Sequence, residues 1–179
     1  MKQKRLILSH SLIDITIQRL CQELIENHGD FTDTVLLGLQ PRGTYLADRI
    51  NEKLVGILHK QIPLGYIDAT FYRDDFRRRA SPLTPNATKV PFIIENKQVI
   101  LIDDVISSGR MVRAAMDAMQ AFGRPSRVEL LCLIDRKYNR DIPIQPDYIG
   151  QKVNTLDSQL VSVEWKVQGY EDDAIWIME

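Results

Sequence analysis

The chain has only two cysteines in 179 residues, too few for a disulfide scaffold. Cys21 and Cys132 both fall inside apolar patterns and read as buried free thiols, the usage expected of a reducing cytoplasm. There is no surplus of charge of either sign: the formal net charge is −1, which gives no general pull toward nucleic acid or an anionic membrane. No apolar run approaches the roughly 20 residues that a membrane helix needs. The first 25 residues interleave apolar and charged positions, unlike a secretory leader. Internal repeats and low-complexity tracts are absent, which excludes a solenoid. What remains is ordinary for a globular chain, 44% apolar and 26% charged, and 1–179 is expected to form one domain.

The chain is organised around residues 99–116, VILIDDVISSGRMVRAAM. Residues 99–105 form an apolar run that is short for a helix and suits a buried parallel strand. Asp103 and Asp104 stand at its C-terminal end, followed by the turn Ile106-Ser107-Ser108-Gly109. A helix is expected from Arg110, with Val112, Ala115, Met116 and Met119 on one face. Each part suits a sugar phosphate. Gly109 permits a tight turn, while the loop amides, two serine hydroxyls and the helix start can face an anion. Neighbouring carboxylates can accept hydrogen bonds from vicinal ribose hydroxyls. An acidic pair after a buried strand also suits the magnesium site of a receiver domain or ATPase, and spacing alone leaves both readings open.

The other segments fit an α/β chain. A short strand is expected at 5–8, then a helix from a loose Ser11/Asp14 cap to His28-Gly29, with Ile13, Ile17, Leu20 and Leu24 inward. His10 and His28, at the helix edges, read as solvated cap residues because neither has a visible partner. A buried strand at 35–39 runs into Gln40-Pro41-Arg42-Gly43 and a second helix whose inner face carries Leu46, Ala47, Ile50 and Leu54. Arg42 and Gly43 stand where a guanidinium or loop amides would meet an anion. Residues 66–72 alternate like a strand. From Arg73, Asp74 and Asp75 through Arg77, Arg78 and Arg79 to position 91 the chain lacks periodicity and reads as a mobile basic lid. Further strands are expected at 127–134, ending at Asp135-Arg136, and at 148–153, 160–167 and 174–178. Trp165 and Trp176 read as core or interface residues.

The stretch VILIDDVISSGR resembles the phosphoribosyl-pyrophosphate (PRPP) motif of type I phosphoribosyltransferases. LLGLQPRGTYLADRI, IDATFYRDDFRRR, FGRPSRVELLCLIDR and IPIQPDYIGQKVNT are similar, in the same order, to the pyrimidine-operon attenuator/uracil phosphoribosyltransferase family, so the resemblance covers nearly the whole chain. It implies an α/β fold with a central, mostly parallel twisted sheet flanked by helices. A small hood would form from the N- and C-terminal segments. It also implies transfer from PRPP to uracil, giving UMP and pyrophosphate, with Mg²⁺ held by PRPP and water rather than by an all-protein cage.

The resemblance assigns roles. Asp103 and Asp104 would hold the ribose hydroxyls, Asp103 standing nearest to a metal role. Val105, Ile106, Ser107, Ser108, Gly109, Arg110 and Met111 would wrap the 5′-phosphate, and Pro41, Arg42 and Gly43 would bind pyrophosphate. Backbone groups near Asp135, Arg136 and Val161 would recognise the base. Three positions depart from the family's usual form: Pro41, Ser108 and Met111 stand where threonine is common, Ser108 keeping the hydroxyl and the other two removing it. The resemblance further implies a homo-oligomer and a second activity, binding of pyrimidine leader RNA. Against the latter, the helix over 12–27 carries Arg19 as its only arginine or lysine, beside Asp14, Glu23 and Glu26, with Gln18 and Gln22 on the face in question. The segment from Val153 to Gln159 is also poor in cations. An attenuator with weak catalysis, and transfer to another base such as hypoxanthine or guanine, remain the alternatives.

Overall fold

The computed structural model describes residues 4–74, 84–156 and 158–179. The apolar runs form a five-stranded sheet, every neighbouring pair of which is parallel: β2 (Thr34–Leu39), β3 (Leu64–Ile67), β4 (Gln98–Ile106), β5 (Arg127–Arg136) and β6 (Tyr148–Val153). Their order is β3-β2-β4-β5-β6. The chain therefore moves outward from β2 to β3, then crosses back over β2 to begin β4. The helices that follow β2 and β4 lie on opposite faces of the sheet, so its C-terminal edge between these two strands is the switch point, the place where open α/β sheets take their ligands.

Alternation along each strand sends side chains to two cores. Leu36, Ile100, Ile102, Leu131 and Leu133 face α1 (His10–His28) and α2 (Gly43–Leu58). Val35, Leu37, Leu39, Val99, Leu101, Leu130 and Cys132 face α3 (Arg110–Met119), where Val112, Ala115 and Met119 meet them. Burial on both faces explains why these strands read as continuous apolar runs. It also makes both cysteines inert: burial pushes the Cys21 thiol up to about 12 and the Cys132 thiol well above its usual range. A second, antiparallel sheet joins the N- and C-terminal segments in the order β1-β8-β7, with β1 at Lys4–Ser9, β7 at Leu160–Glu164 and β8 at Ala174–Met178. It extends the α1/α2 core through Leu8, Val163 and Ile175, and buries Trp165 in full.

Four local expectations are corrected. The strand expected over 66–72 ends at Ile67, because the Asp68 carboxylate captures the Thr70 amide (3.1 Å), the Thr70 hydroxyl (2.6 Å) and the Asn86 amide (2.8 Å). Such a side-chain turn diverts backbone donors from a ladder. The strand expected over 160–167 stops at Glu164 and gives way to a single 3₁₀ turn closed by Gly169 at φ 95°. Helix α1 starts at His10 with Ser9 as its N-cap and no side-chain capping bond, so the Ser11/Asp14 cap does not form. Nor are His10 and His28 without partners. His28 is buried, donating or accepting at Glu129 Oε2 (2.8 Å), Tyr148 Oη (3.2 Å) and Thr34 Oγ1 (3.0 Å), and so ties the end of α1 to β5, β6 and β2. His10 is exposed but contacts Asp173 Oδ2 at 3.2 Å.

Gly150, on edge strand β6, sets how closely that strand can approach. A Cβ there would lie 2.3 Å from the Leu133 carbonyl oxygen and 3.0 Å from Thr16 Cγ2 on α1. Backbone cannot move aside as a side chain can. Gly150→Ala is expected to lower stability by about 1–3 kcal/mol, the scale of forced overpacking. Urea unfolding measures it, and an unchanged midpoint would show that β6 yields.

Candidate active site

Two loops converge at the switch point. The first leaves β2 at Gln40, passes through a cis Gln40-Pro41 peptide and enters α2 at Gly43. The second leaves β4 after Asp103 and Asp104 and enters α3 through Gly109. They touch at Gly43, where an added Cβ would sit 2.5 Å from the Ile102 carbonyl oxygen and 3.1 Å from Asp103 Oδ1. Only hydrogen fits. Gly43→Ala is expected to push the first loop off the acidic pair and, with the PRPP that the sequence resemblance implies as substrate, to raise its Michaelis constant about tenfold, the effect of a small misplacement of binding groups. Steady-state kinetics at varied PRPP would read it, and an unchanged constant would contradict the close fit.

The carboxylates differ in their surroundings. Asp104 Oδ2 accepts from Arg42 Nε at 2.9 Å, and the same guanidinium donates to the Val163 carbonyl on β7. Arg42 thus joins both loops to the antiparallel sheet. Asp103 is buried, and its Oδ1 accepts the Asp104 amide at 2.9 Å. Burial, and then the neighbouring Asp104 charge, hold the Asp103 carboxyl well above the usual carboxylate range. A cation or a set of hydroxyl donors brought to this pair would relieve that cost.

In the loop after β4, side chains and backbone have separate jobs. At its two ends, Ile106 on β4 is buried, while Val105 on β4 and Met111 on α3 are half-buried against the cores. Gly109 adopts φ 85°, a conformation that favours glycine, and is buried under Ile142, Ile144 and Arg140. The Ser108 hydroxyl accepts from the Arg110 amide at 3.3 Å, and the Ser107 hydroxyl accepts from Arg136 Nη1 at 3.3 Å. The Arg110 side chain points elsewhere: Nη1 meets Asp74 Oδ2 at 2.6 Å and Nε meets Asp141 Oδ2 at 2.8 Å.

The remaining expected residues lie as follows. Asp135 and Arg136 end β5 beside Ile106, at the same sheet edge. Both are buried and occupied, Asp135 by Arg140 (2.6 Å) and Arg136 by Thr155 (2.9 Å) and the Gln159 carbonyl (2.8 Å). Val161 pairs with Ile177 in the antiparallel sheet. Of the expected lid, Asp74 reaches Arg110 and Arg113, while 84–90 lies along β3, with Lys89 bridged to Tyr66 and the Ala87 carbonyl accepting from Gln40 Nε2 at 2.7 Å. Asp75, Arg77, Arg78 and Arg79 fall outside the described residues. Sequence reading missed Arg140, which bonds both Asp135 and the Ser107 carbonyl. Its only signal was an arginine shortly after a strand that ends in acid, which is too common to stand out.

Comparison with known proteins agrees with this geometry. The phosphoribosyl transferase domain family matches residues 6–173. Similar relatives include the bifunctional protein PyrR of Halalkalibacterium halodurans, 40% identical over 96% of both chains. That of Microcystis aeruginosa is 43% identical over 88% of both. Among solved structures, the hypoxanthine-guanine phosphoribosyltransferase of Leishmania tarentolae in complex with GMP superposes with a TM-score of 0.74 over 98% of this chain and 96% of its own. It is 14% identical, so it shows the shared fold alone. Among the described residues no helix is long and apolar enough to cross a membrane. The chain belongs to the phosphoribosyl transferase domain family and, within it, to the family of the bifunctional PyrR proteins.

Proposed function

We propose that the chain transfers the phosphoribosyl group of PRPP to uracil, forming UMP and pyrophosphate. The observation that carries this reading is the meeting of two anion-suited loops over a buried carboxylate pair, Arg42 and Gly43 on one side and Asp103 to Gly109 on the other. In the reaction the bond from ribose C1 to the pyrophosphate oxygen breaks, the bond from C1 to uracil N1 forms, and the N1 proton is released. Positive charge develops on the ribose. Asp103 and Asp104 hold its hydroxyls and oppose that charge, the loop amides fix the 5′-phosphate, and Arg42 receives the leaving group. The acidic pair fits a divalent cation, since a positive charge offsets the cost of ionised Asp103 in its buried setting. Asp103 would help hold Mg²⁺, which would neutralise charge on the departing pyrophosphate.

Base choice rests on the resemblance of residues 124–136 and 142–150 to the pyrimidine-operon attenuator/uracil phosphoribosyltransferase family. Calorimetry tests it: UMP is expected to bind and IMP not, and equal binding would favour a purine substrate. The second reading, regulation through pyrimidine leader RNA, draws on the same family resemblance. One observation keeps it second. Arg19 spends its guanidinium on Glu23 (2.7 Å) and on the Ile149 (3.0 Å) and Gly150 (2.7 Å) carbonyls, bracing α1 against β6. UMP-dependent filter binding of leader RNA, with its salt dependence, would decide it. A homo-oligomer is part of the same proposal, and sedimentation measures it.

A further inference from the structure

The loop after β4 is gripped from one side by the segment that follows β5. Arg140 is mostly buried and clamped by Asp135 Oδ1 at 2.6 Å, and its other terminal nitrogen donates to the Ser107 carbonyl. The next carbonyl, of Ser108, accepts from the amides of Asp141 (3.0 Å) and Ile142 (3.3 Å). A trans peptide is planar, so the carbonyl of one residue and the amide of the next point in opposite directions. Holding two consecutive carbonyls on the 140–142 side therefore aims the Ser108 and Gly109 amides to the opposite side. Among the described residues neither amide donates to a protein acceptor. Backbone N–H groups left so are rare unless a ligand or water meets them.

We infer that Arg140 is a positioning residue for PRPP, fixing through the Ser107 carbonyl the direction of the amides that receive the 5′-phosphate. This rests on the reading of residues 106–111 as the phosphate loop. Asp135, assigned from sequence to the base site, acts here as the anchor that keeps the Arg140 fork in place. Arg140 itself touches no reacting atom: its contacts are to protein groups, and its effect is on loop geometry.

The test compares the wild-type chain with Arg140→Met and Arg140→Lys. Kinetics give the PRPP and uracil Michaelis constants, and calorimetry gives the affinities for ribose 5-phosphate and for pyrophosphate. Arg140→Met is expected to weaken PRPP and ribose 5-phosphate about tenfold or more, the scale of a lost charge-assisted hydrogen bond. Uracil and pyrophosphate are expected to stay within about twofold, because they bind elsewhere. Arg140→Lys, which keeps one donor, should fall between. Unchanged ribose 5-phosphate affinity in a folded Arg140→Met protein would overturn the inference, as would an equal loss of pyrophosphate affinity, which marks general loosening. If the methionine variant does not fold, the lysine variant decides by the same criterion. A wild-type chain that makes no UMP, yet binds ribose 5-phosphate in an Arg140-dependent way, would refute the proposed reaction and support this inference. Failure of the wild type to bind ribose 5-phosphate would overturn it.

Discussion

Asp104→Asn is expected to lower the rate of UMP formation by about 100-fold or more, the scale seen when one preorganised charge is removed from a transition state. The substitution keeps size and shape but removes the charge that, in the proposed reaction, opposes the developing positive ribose. It also weakens the bond to Arg42, whose Nε donates to Asp104 Oδ2 at 2.9 Å and whose guanidinium ties the loop after β2 to the antiparallel sheet, because the asparagine oxygen accepts without charge. Two effects should therefore separate in kinetics: a fall in turnover from the lost charge, and a smaller rise in the PRPP Michaelis constant from the loosened arginine. Melting behaviour should change little, because half of the pair, Arg42, is substantially exposed and such pairs contribute about 0–1 kcal/mol. Unchanged turnover would remove Asp104 from the mechanism.

Asp103→Asn is expected to lose comparable activity while making the free protein more stable. The Asp103 carboxyl is raised by burial and then by Asp104, so the folded chain keeps its proton to higher pH than the unfolded chain does. Between the ordinary carboxylate range and the raised value the folded state binds more protons, and stability falls as pH rises through that window. Above the window the ionised, buried group costs stability in full. Asparagine carries no such cost, and its Oδ1 can still accept the Asp104 amide. The variant should melt higher at neutral pH and show a flatter acid-side pH dependence. A lower melting temperature with the wild-type slope would mean that the carboxylate is not held at a cost. A site residue that destabilises its own fold is the pattern expected where binding geometry has priority over stability.

Much of the fold was legible because burial on both faces leaves a plain trace. The runs at 35–39 and 99–105 are strands, the helix faces of α1 and α2 are as their spacing indicates, and the Asp103-Asp104 pair lies at the sheet edge. What escaped was nonlocal. His28 gave no sign of Glu129, 101 residues away, and a polar contact of that kind has no period to reveal it. Likewise the turn at Asp68 depends on Asn86, 18 residues further on, so alternation alone carried the strand too far. Met111 was read as a lost phosphate hydroxyl, and its side chain packs into the core beside α3. Arg136 was read toward the base through its backbone, and the bonds of its side chain to Thr155 and the Gln159 carbonyl gave no sign in the sequence.

The most direct measurement is the initial rate of UMP formation from PRPP and uracil with Mg²⁺ on the purified chain, with orotate, hypoxanthine and guanine in parallel. UMP and equimolar pyrophosphate are expected with uracil, and no nucleotide with the other bases. Product with hypoxanthine or guanine alone would contradict the base assignment, and no product with any base would contradict catalysis as the chain's activity.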